Sequence, residues 1–517
     1  MQRPSSIAIV GGGTAGWMAA SLLEHAWAQY GTHITLIESE AIETIGVGEG
    51  STPSLQAFFK LLGIEESHWM PACHATYKCG IRFPHWTSHL QDNTYFHPFY
   101  SDHDWKTGQA YLHNVNLRRQ GYDIEAKPDP YWLQHYLAKS GKCPVLEKPQ
   151  DHSLDYGYHF DSALLGKFLK NRLLKRGKVN HTIGTVEHIK SGVNGIEKLI
   201  TANGEVLEAD LYVDCTGFAS LLLGKTLNVD FEDFSDALPN DRAVAIASKI
   251  DLTNDLIPET TSMALTHGWA WKIPLSSRFG NGYVYSSHYL SEEQAEQELR
   301  DYLGVDKSVP AKHLRMRVGR YQQHWCKNVL AVGLSQGFIE PLEATAIATL
   351  QYTVEHFIAL HEDDAQLPNT SGRASNVFNQ RINAIFDSIK DYICLHYRMN
   401  TRTDSVYWQD CANNKNHSDK LQAIIDAWDR PEVNFTQALH NFDSETMYFA
   451  PSWYCLLAGK GRLSKIGKTK PFDKKVASLD DIERYCQHQA SFFRDHVEQL
   501  KHIYGQQHPI FSVIRAE

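Results

Sequence analysis

The sequence predicts an α/β fold followed by a mainly helical lobe, and three observations predict it. The first forty residues read as strand, Gly-rich turn, helix and strand. Strand-like segments return between Leu211 and Val332. From about Ala346 the apolar residues switch to helical spacing and keep it almost to the end. At 517 residues the chain exceeds the length of one ordinary domain. The expected division is 1–370 for the α/β module with inserted β segments and 371–517 for the helical lobe, near the polar stretch Asp363–Ala374.

In order along the chain, Ser6 to Val10 (SIAIV) reads as a buried strand, Gly11 to Gly16 as a tight turn and Trp17 to Tyr30 as a helix. His33 to Ile37 (HITLI) is a second strand that ends on Glu38. Residues 84–160 mix aromatics, Pro and His without sustained period, which reads as long loops or short strands. Further strands are expected at Leu211–Cys215, Ala243–Ile250, Gly282–Ser287 and Asn328–Val332. Helices are expected in IATLQYTVEHFIALHE and LQAIIDAWD.

Lys plus Arg is 50 against 60 for Asp plus Glu, a net charge of −10, which argues against a nucleic-acid scaffold or a binder of anionic membranes. No run approaches the ~20 apolar residues of a membrane span, and no signal peptide is read before the first strand. Nine scattered cysteines without a CxxC pair read as reduced thiols in a cytoplasmic protein without structural zinc. The 27 His include no HExxH or comparable cluster, so no metal is expected. Twelve Trp, 24 Tyr and 22 Phe hint at a pocket for a flat substrate.

Gly11-Gly12-Gly13-Thr14-Ala15-Gly16 fits GxGxxG between a strand and a helix. Gly11 allows the turn, Gly13 lets a pyrophosphate approach the backbone, and Gly16 permits close helix–strand packing. Glu38, 22 residues beyond Gly16, stands where an acid accepts hydrogen bonds from a ribose. Two later strands favour FAD over NAD: Tyr212 to Gly217, which carries Asp214 and Gly217 in D-x-x-G, and Asn328 to Gly333. Comparable late strands complete the FAD site in flavoproteins of the glutathione-reductase type. The fold class is therefore α/β, with an FAD-binding module like that of glutathione reductase or flavin monooxygenases, an inserted β-sheet and a helical C-terminal substrate lobe. Leu334 replaces the usual acid after the last Gly. There is no second Gly-rich fingerprint for NADPH, so reduced FAD would come from a separate reductase.

Three segments carry candidate chemistry. Trp269 and Trp271 in W-x-W-x-I-P share one face of an extended segment, which is equally an aromatic wall or a core hairpin. Lys78, in an apolar strand context, is ordinarily a surface residue; pointed into a ring-lined cavity, it would be a donor or nucleophile with a lowered pKa. Glu343, where a helix begins, is ordinarily a dipole partner, although the amides of Thr345 and Ala346 at that start can hold an anion.

The fingerprint, Gly46-Val47-Gly48-Glu49-Gly50-Ser51-Thr52-Pro53, Lys78, Trp269–Pro274 and Pro341–Thr345 follow the order seen in flavin-dependent tryptophan halogenases, which the chain resembles from end to end. The resemblance implies that FADH2, O2 and a bound halide, chloride or bromide, give hypohalous acid. This acid reaches Lys78, which positions it or carries it as a haloamine, and the halogen adds to an electron-rich ring such as indole or tryptophan while Glu343 assists. It implies a flavin held by Gly11, Gly13, Thr14, Ala15, Gly16, Glu38, Ser39, Gly48, Glu49, Ser51, Asp214, Gly217, Leu334 and Ile347, and a halide at Thr345 and Ala346. His97 and Phe99 would sandwich the substrate, the tryptophans Trp269 and Trp271 would keep it from the flavin, and Trp453 and Tyr454 would line its far end. Partners implied are an NAD(P)H-dependent flavin reductase and a small aromatic substrate. Family members are often dimers, which leaves a homodimer open.

Two departures bear on specificity. Glu343-Ala344-Thr345-Ala346 stands where tryptophan-specific enzymes have Glu-Ser-Thr-Gly, and Trp453 replaces the first residue of a Tyr-Tyr pair. A larger halide, and indole as readily as free tryptophan, are the resulting expectations. A flavin-dependent aromatic hydroxylase and a non-catalytic flavin or aromatic-metabolite binder stay open as alternatives.

Overall fold

The computed structural model describes residues 3–40, 47–88, 93–148, 154–364, 373–442, 447–469 and 478–505; Gly46 and most of the stretch Asp363–Ala374 lie outside them. A six-stranded sheet forms the nucleotide-binding side, in the order Trp325–Cys326, Val329–Ala331, Leu211–Asp214, Ser6–Val10, His33–Glu38, Val179–Ile183. All of its pairings are parallel except that of the edge strand Trp325–Cys326. Both faces of a parallel sheet are covered, which is why the first strand reads as an unbroken apolar run. The helix Thr14–Trp27 packs against Ser162–Arg176 and Ala346–Asp364. It buries Trp17, Met18, Leu22, Leu23 and Trp27, each worth about 1.5–3 kcal/mol of apolar burial.

A second, seven-stranded sheet runs Ala311–Arg315, Arg242–Ser248, Phe279–Tyr285, Gly268–Pro274, Glu259–Leu265, Gly80–Pro84, Thr94–Pro98. Between the two sheets lies a small one, Gly48–Gly50, Gly157–Asp161 and Thr76–Lys78. This small sheet fixes the site, because Gly48–Gly50 leaves the fingerprint side and Thr76–Lys78 ends on Lys78. Among the described residues from Ala346 to Tyr504, the named elements are helices and one short strand, Phe493–Asp495. One apolar core draws on residues from Ile7 to Tyr504.

Residues 84–160 correct the sequence reading. They hold the helices Trp105–Arg119 and Leu133–Lys139 as well as strands. The buried face of Trp105–Arg119 is Thr107, Gly108, Tyr111, Asn114, Val115 and Arg119. A face so poor in aliphatic residues shows no apolar period. Its burial is satisfied by hydrogen bonds: Arg119 donates to the carbonyls of Ala427, Trp428 and Arg430 at the C-terminal end of the helix Asp419–Asp429.

Candidate functional site

The Gly-rich turn has the geometry a dinucleotide needs. Gly11 sits at φ +112°, and a Cβ there would lie 2.2 Å from the Cys215 carbonyl oxygen. A Cβ on Gly16 would meet the Gly11 carbonyl at 1.9 Å. Gly13, by contrast, has open space at its Cβ position, as does Gly217. The helix that follows has no side-chain cap and no acid in its first turn, so its amides stay available to phosphate. Thr14 is turned away and donates its hydroxyl to the Ser162 carbonyl. Ala15 lies beside Gly333, where an added Cβ would come within 2.9 Å of it. The half-buried Leu334 follows, and Ile347 is buried in the first turn of the next helix.

Glu38 ends its strand against the turn. Its Oε1 accepts from Lys170 and from His181 Nε2 at 2.8 Å, and Oε2 has no hydrogen bond to the described residues. The Ser39 hydroxyl pairs with that of Thr185. Gly48 passes close to Gly280, and Glu49 is only partly covered by the chain. Desolvation raises the Glu49 carboxyl to about 7 against a hydrogen bond to Ser162, with Asp161 adding to the rise.

Asp214 corrects the sequence reading. Its two oxygens accept from Thr216 N and Oγ1 and from the amides of Leu222 and Leu223. Four bonds fill its acceptor sites, so it organises its own loop, and no oxygen is left for a cofactor.

Lys78 is fully buried. Its strand is fixed from both sides: the Tyr77 hydroxyl donates to Glu66, which also binds Tyr156 and Tyr158, and Thr76 Oγ1 donates to the carbonyl of Pro274 at the end of the WxWxIP segment. Lys78 Nζ donates to the Ser51 carbonyl at 3.2 Å and lies 5.3 Å from the Phe99 ring centre. Ser51 is itself held by Tyr158, which donates its amide to Oγ. The residues next to the fingerprint side therefore touch the amine directly. Burial lowers the ammonium to about 7, opposed by Glu343.

Glu343 ends a single turn, Pro341–Glu343, and the helix itself starts at Ala346. Ala344 between them is left-handed at φ +56°, a conformation a Cβ disfavours. Burial raises the Glu343 carboxyl to about 8, opposed by Lys78 and Lys460. No ion pair within 4 Å joins Lys78 to Glu343 among the described residues. Thr345 is buried, Ala346 is exposed, and neither amide bonds to the described residues.

Trp269 and Trp271 share one face, with ring centres 6.2 Å apart. Trp269 Nε1 donates to Glu340, three residues before Glu343, so the aromatic wall is tied to the carboxylate's turn. Trp271 lies flat over Gly282, where a Cβ would come within 2.0 Å of the indole. Gly282→Ala is therefore expected to lower stability by about 1–3 kcal/mol and to red-shift tryptophan emission, read by denaturation and fluorescence; an unchanged midpoint and spectrum would contradict this packing.

His97 joins this side: its Nε2 pairs with the Tyr392 hydroxyl at 3.1 Å. Trp453 meets the Tyr392 ring edge-on at 5.1 Å. Tyr454 is not brought here. Its ring packs on Trp428 and Phe435, and its hydroxyl binds Asn116 and Thr436, because neighbouring helix positions face about 100° apart.

Several residues at the site escape a sequence reading. His396 binds Glu343 at 2.7 Å, and the buried Glu340 accepts from Asn240, Trp269 and Tyr397. Lys460 is buried on the Trp86 ring at 3.9 Å, and its amine has no hydrogen-bond partner among the described residues. His396, four residues after Tyr392 on the apolar stripe of Arg373–Arg398, carries a detectable signal. Lys460 does not, since a Lys after an apolar helix end reads as an ordinary C-terminal residue.

The tryptophan halogenase family model matches residues 6–475. The chain belongs to the tryptophan halogenase family. The halogenase is 36% identical over 476 residues to the 7-chloro-L-tryptophan 6-halogenase KtzR of a Kutzneria species, covering 88% of this chain and 90% of that one. It is 36% identical over 490 residues to the tryptophan 7-halogenase RebH of Lentzea aerocolonigenes, covering 88% and 89%. A solved tryptophan halogenase from Shewanella frigidimarina matches with a TM-score of 0.85 at 30% identity over 99% of each chain. The enzyme is a flavin-dependent halogenase, and its family uses flavin and halide. All nine cysteines are free. Among the described residues no helix is long and apolar enough to cross a membrane.

Proposed function

We propose that this halogenase halogenates an electron-rich ring of the indole or tryptophan class, with FAD used as FADH2 from a separate NAD(P)H-dependent reductase. The observation that carries the reading is the buried Lys78 amine, held by Ser51 next to the Gly48–Gly50 strand and facing Glu343 without an ion pair. Gly11–Gly16, Gly48–Ser51, Gly217 and Leu334 would hold reduced FAD, which with O2 would supply the oxidising equivalents needed to turn halide into hypohalous acid. Lys78, brought near neutrality by burial, holds that acid by its N–H groups, or its lone pair takes the halogen with loss of water. Phe99 and His97 orient the substrate's flat face. Glu343 offsets the positive charge that develops on the ring and takes the ring proton. Trp269 and Trp271 wall the ring off from the flavin. Residues 371–517 act as the covering lobe, since they supply Tyr392, His396, Trp453 and Lys460.

The substrate reading follows from Tyr454. With this residue turned toward Asn116 and Thr436, indole is expected to be used at least as well as free tryptophan. The unbonded Thr345 and Ala346 amides are the halide donors in this reading, and they matter because a net charge of −10 gives a halide no long-range help. Bromide is the expected halide, because it costs less to desolvate and to oxidise than chloride. The test supplies reductase, FAD, NADH, indole, and chloride and bromide at equal concentration. Mostly brominated indole is expected. Mostly chlorinated product would overturn the halide preference, and no halogenated product would overturn the function.

A further inference from the structure

Glu343 is held from behind by groups that the mechanism above does not use. His396 Nε2 lies 2.7 Å from Glu343 Oε1, and His396 Nδ1 lies 3.4 Å from the Tyr95 hydroxyl. In the deprotonated form that takes the ring proton, the Glu343 carboxylate only accepts, so Nε2 carries the hydrogen and the bare Nδ1 faces the Tyr95 O–H. The imidazole cannot turn out of this line, because Phe83, Trp86 and Tyr392 pack around it with ring centres at 4.8, 5.7 and 5.5 Å. Glu343 Oε2 has no hydrogen bond to the described residues.

We propose that His396 is a positioning residue for halogenation: it donates Nε2–H to Oε1 of Glu343 and leaves Oε2 as the oxygen that takes the proton from the substrate ring. The proposal rests on the reading of Glu343 given above. In the step, the C–H bond of the halogenated ring cation breaks, its electron pair restores the aromatic ring, and the proton goes to Oε2. Oε1 then becomes the carbonyl oxygen of a neutral acid and still accepts from His396, so the same hydrogen bond serves both protonation states. His396 itself stays neutral throughout. Burial is the main reason, and the amine of Lys460, held over Trp86 and 5.7 Å from the Tyr95 ring, adds to it, as does His97. Without His396, the carboxylate is free to swing toward either amine and lose its aim at the ring.

The test compares wild type, His396→Phe and His396→Gln on indole and on ring-deuterated indole, with hypohalous acid output measured in parallel by a soluble trap. Loss of aim is expected to lower kcat of His396→Phe by about 10–100-fold, with KM within about twofold. Proton removal then becomes slow enough to show an isotope effect of about 2 or more, against about 1 in wild type. Trapped hypohalous acid should be unchanged. His396→Gln, which keeps an N–H donor, should recover most of kcat and lose the isotope effect. His396→Met, a flexible non-donor, carries the same expectation if the Phe variant does not fold. Unchanged kcat in the non-donor variants would overturn the proposal, as would a fall without an isotope effect. A wild type that halogenates nothing would instead fail the functional reading.

Discussion

Lys78→Met is expected to cut halogenated product by about 10³-fold or more and, in the same protein, to raise the melting temperature. The activity loss follows from the amine's position, because Lys78 Nζ bonds the Ser51 carbonyl and lies over the Phe99 ring. The stability gain follows from burial. The folded chain holds the Lys78 ammonium at about 7, well below its ordinary value of 10.5. A lowered folded value means that the unfolded chain binds this proton more tightly. The lysine therefore costs stability in full below about pH 7, and the cost fades as pH rises toward 10.5, with a magnitude of order a few kcal/mol. Methionine fills a similar linear volume without charge. Thermal melts at pH 6.5 and 9.5 should show the larger gain at the lower pH, with FAD binding kept. Retained product, or a lower melting temperature with FAD binding lost, would contradict the placement of this amine.

Glu343→Gln is the second large effect, with kcat expected to fall by about 10²–10³-fold while the amide still accepts from His396. Here the sign is opposite. Burial raises the folded carboxyl to about 8 from an ordinary 4.5, so the folded chain binds the proton more tightly. Its stabilisation is complete below about pH 4.5 and is lost as pH rises through 8. The glutamine variant should thus gain stability over wild type across that window. Both groups work in their deprotonated forms, so wild-type turnover should rise with pH through the range from about 7 to 8, as one limb belonging to the pair. A turnover that falls with pH there, or a glutamine variant near wild-type rate, would exclude Glu343 as the proton acceptor.

The parts of the fold that follow from local pattern were readable in advance. The fingerprint unit, Glu38 at its strand end and the helical second half each express one period or one turn rule. The helix Trp105–Arg119 was not readable, since its buried face is held by hydrogen bonds and rings with few aliphatic residues. At the site, Lys78 and Glu343 are visible only through a resemblance, because buried ionisable residues look like surface ones in a lone sequence. Asp214 shows the reverse case. Its D-x-x-G setting marks it for a cofactor, yet four bonds to its own loop claim it, and two of those bonds come from a π-helical turn, Leu221–Thr226, that has no sequence signal. Trp453 and Tyr454 are neighbours in the chain, and helix geometry alone sends them to different clusters. The pairing of Glu343 with His396 spans 53 residues, and only the packed structure brings it together.

The measurement that bears most directly on halogen transfer at Lys78 is the mass of the product formed from indole, with reductase, FAD and NADH, when bromide is present and when halide is withheld. Replacement of one ring hydrogen by bromine, and no product without halide, is the predicted result. A product heavier by one oxygen, formed equally with and without halide, would show that oxygen is transferred at the flavin and would contradict the account.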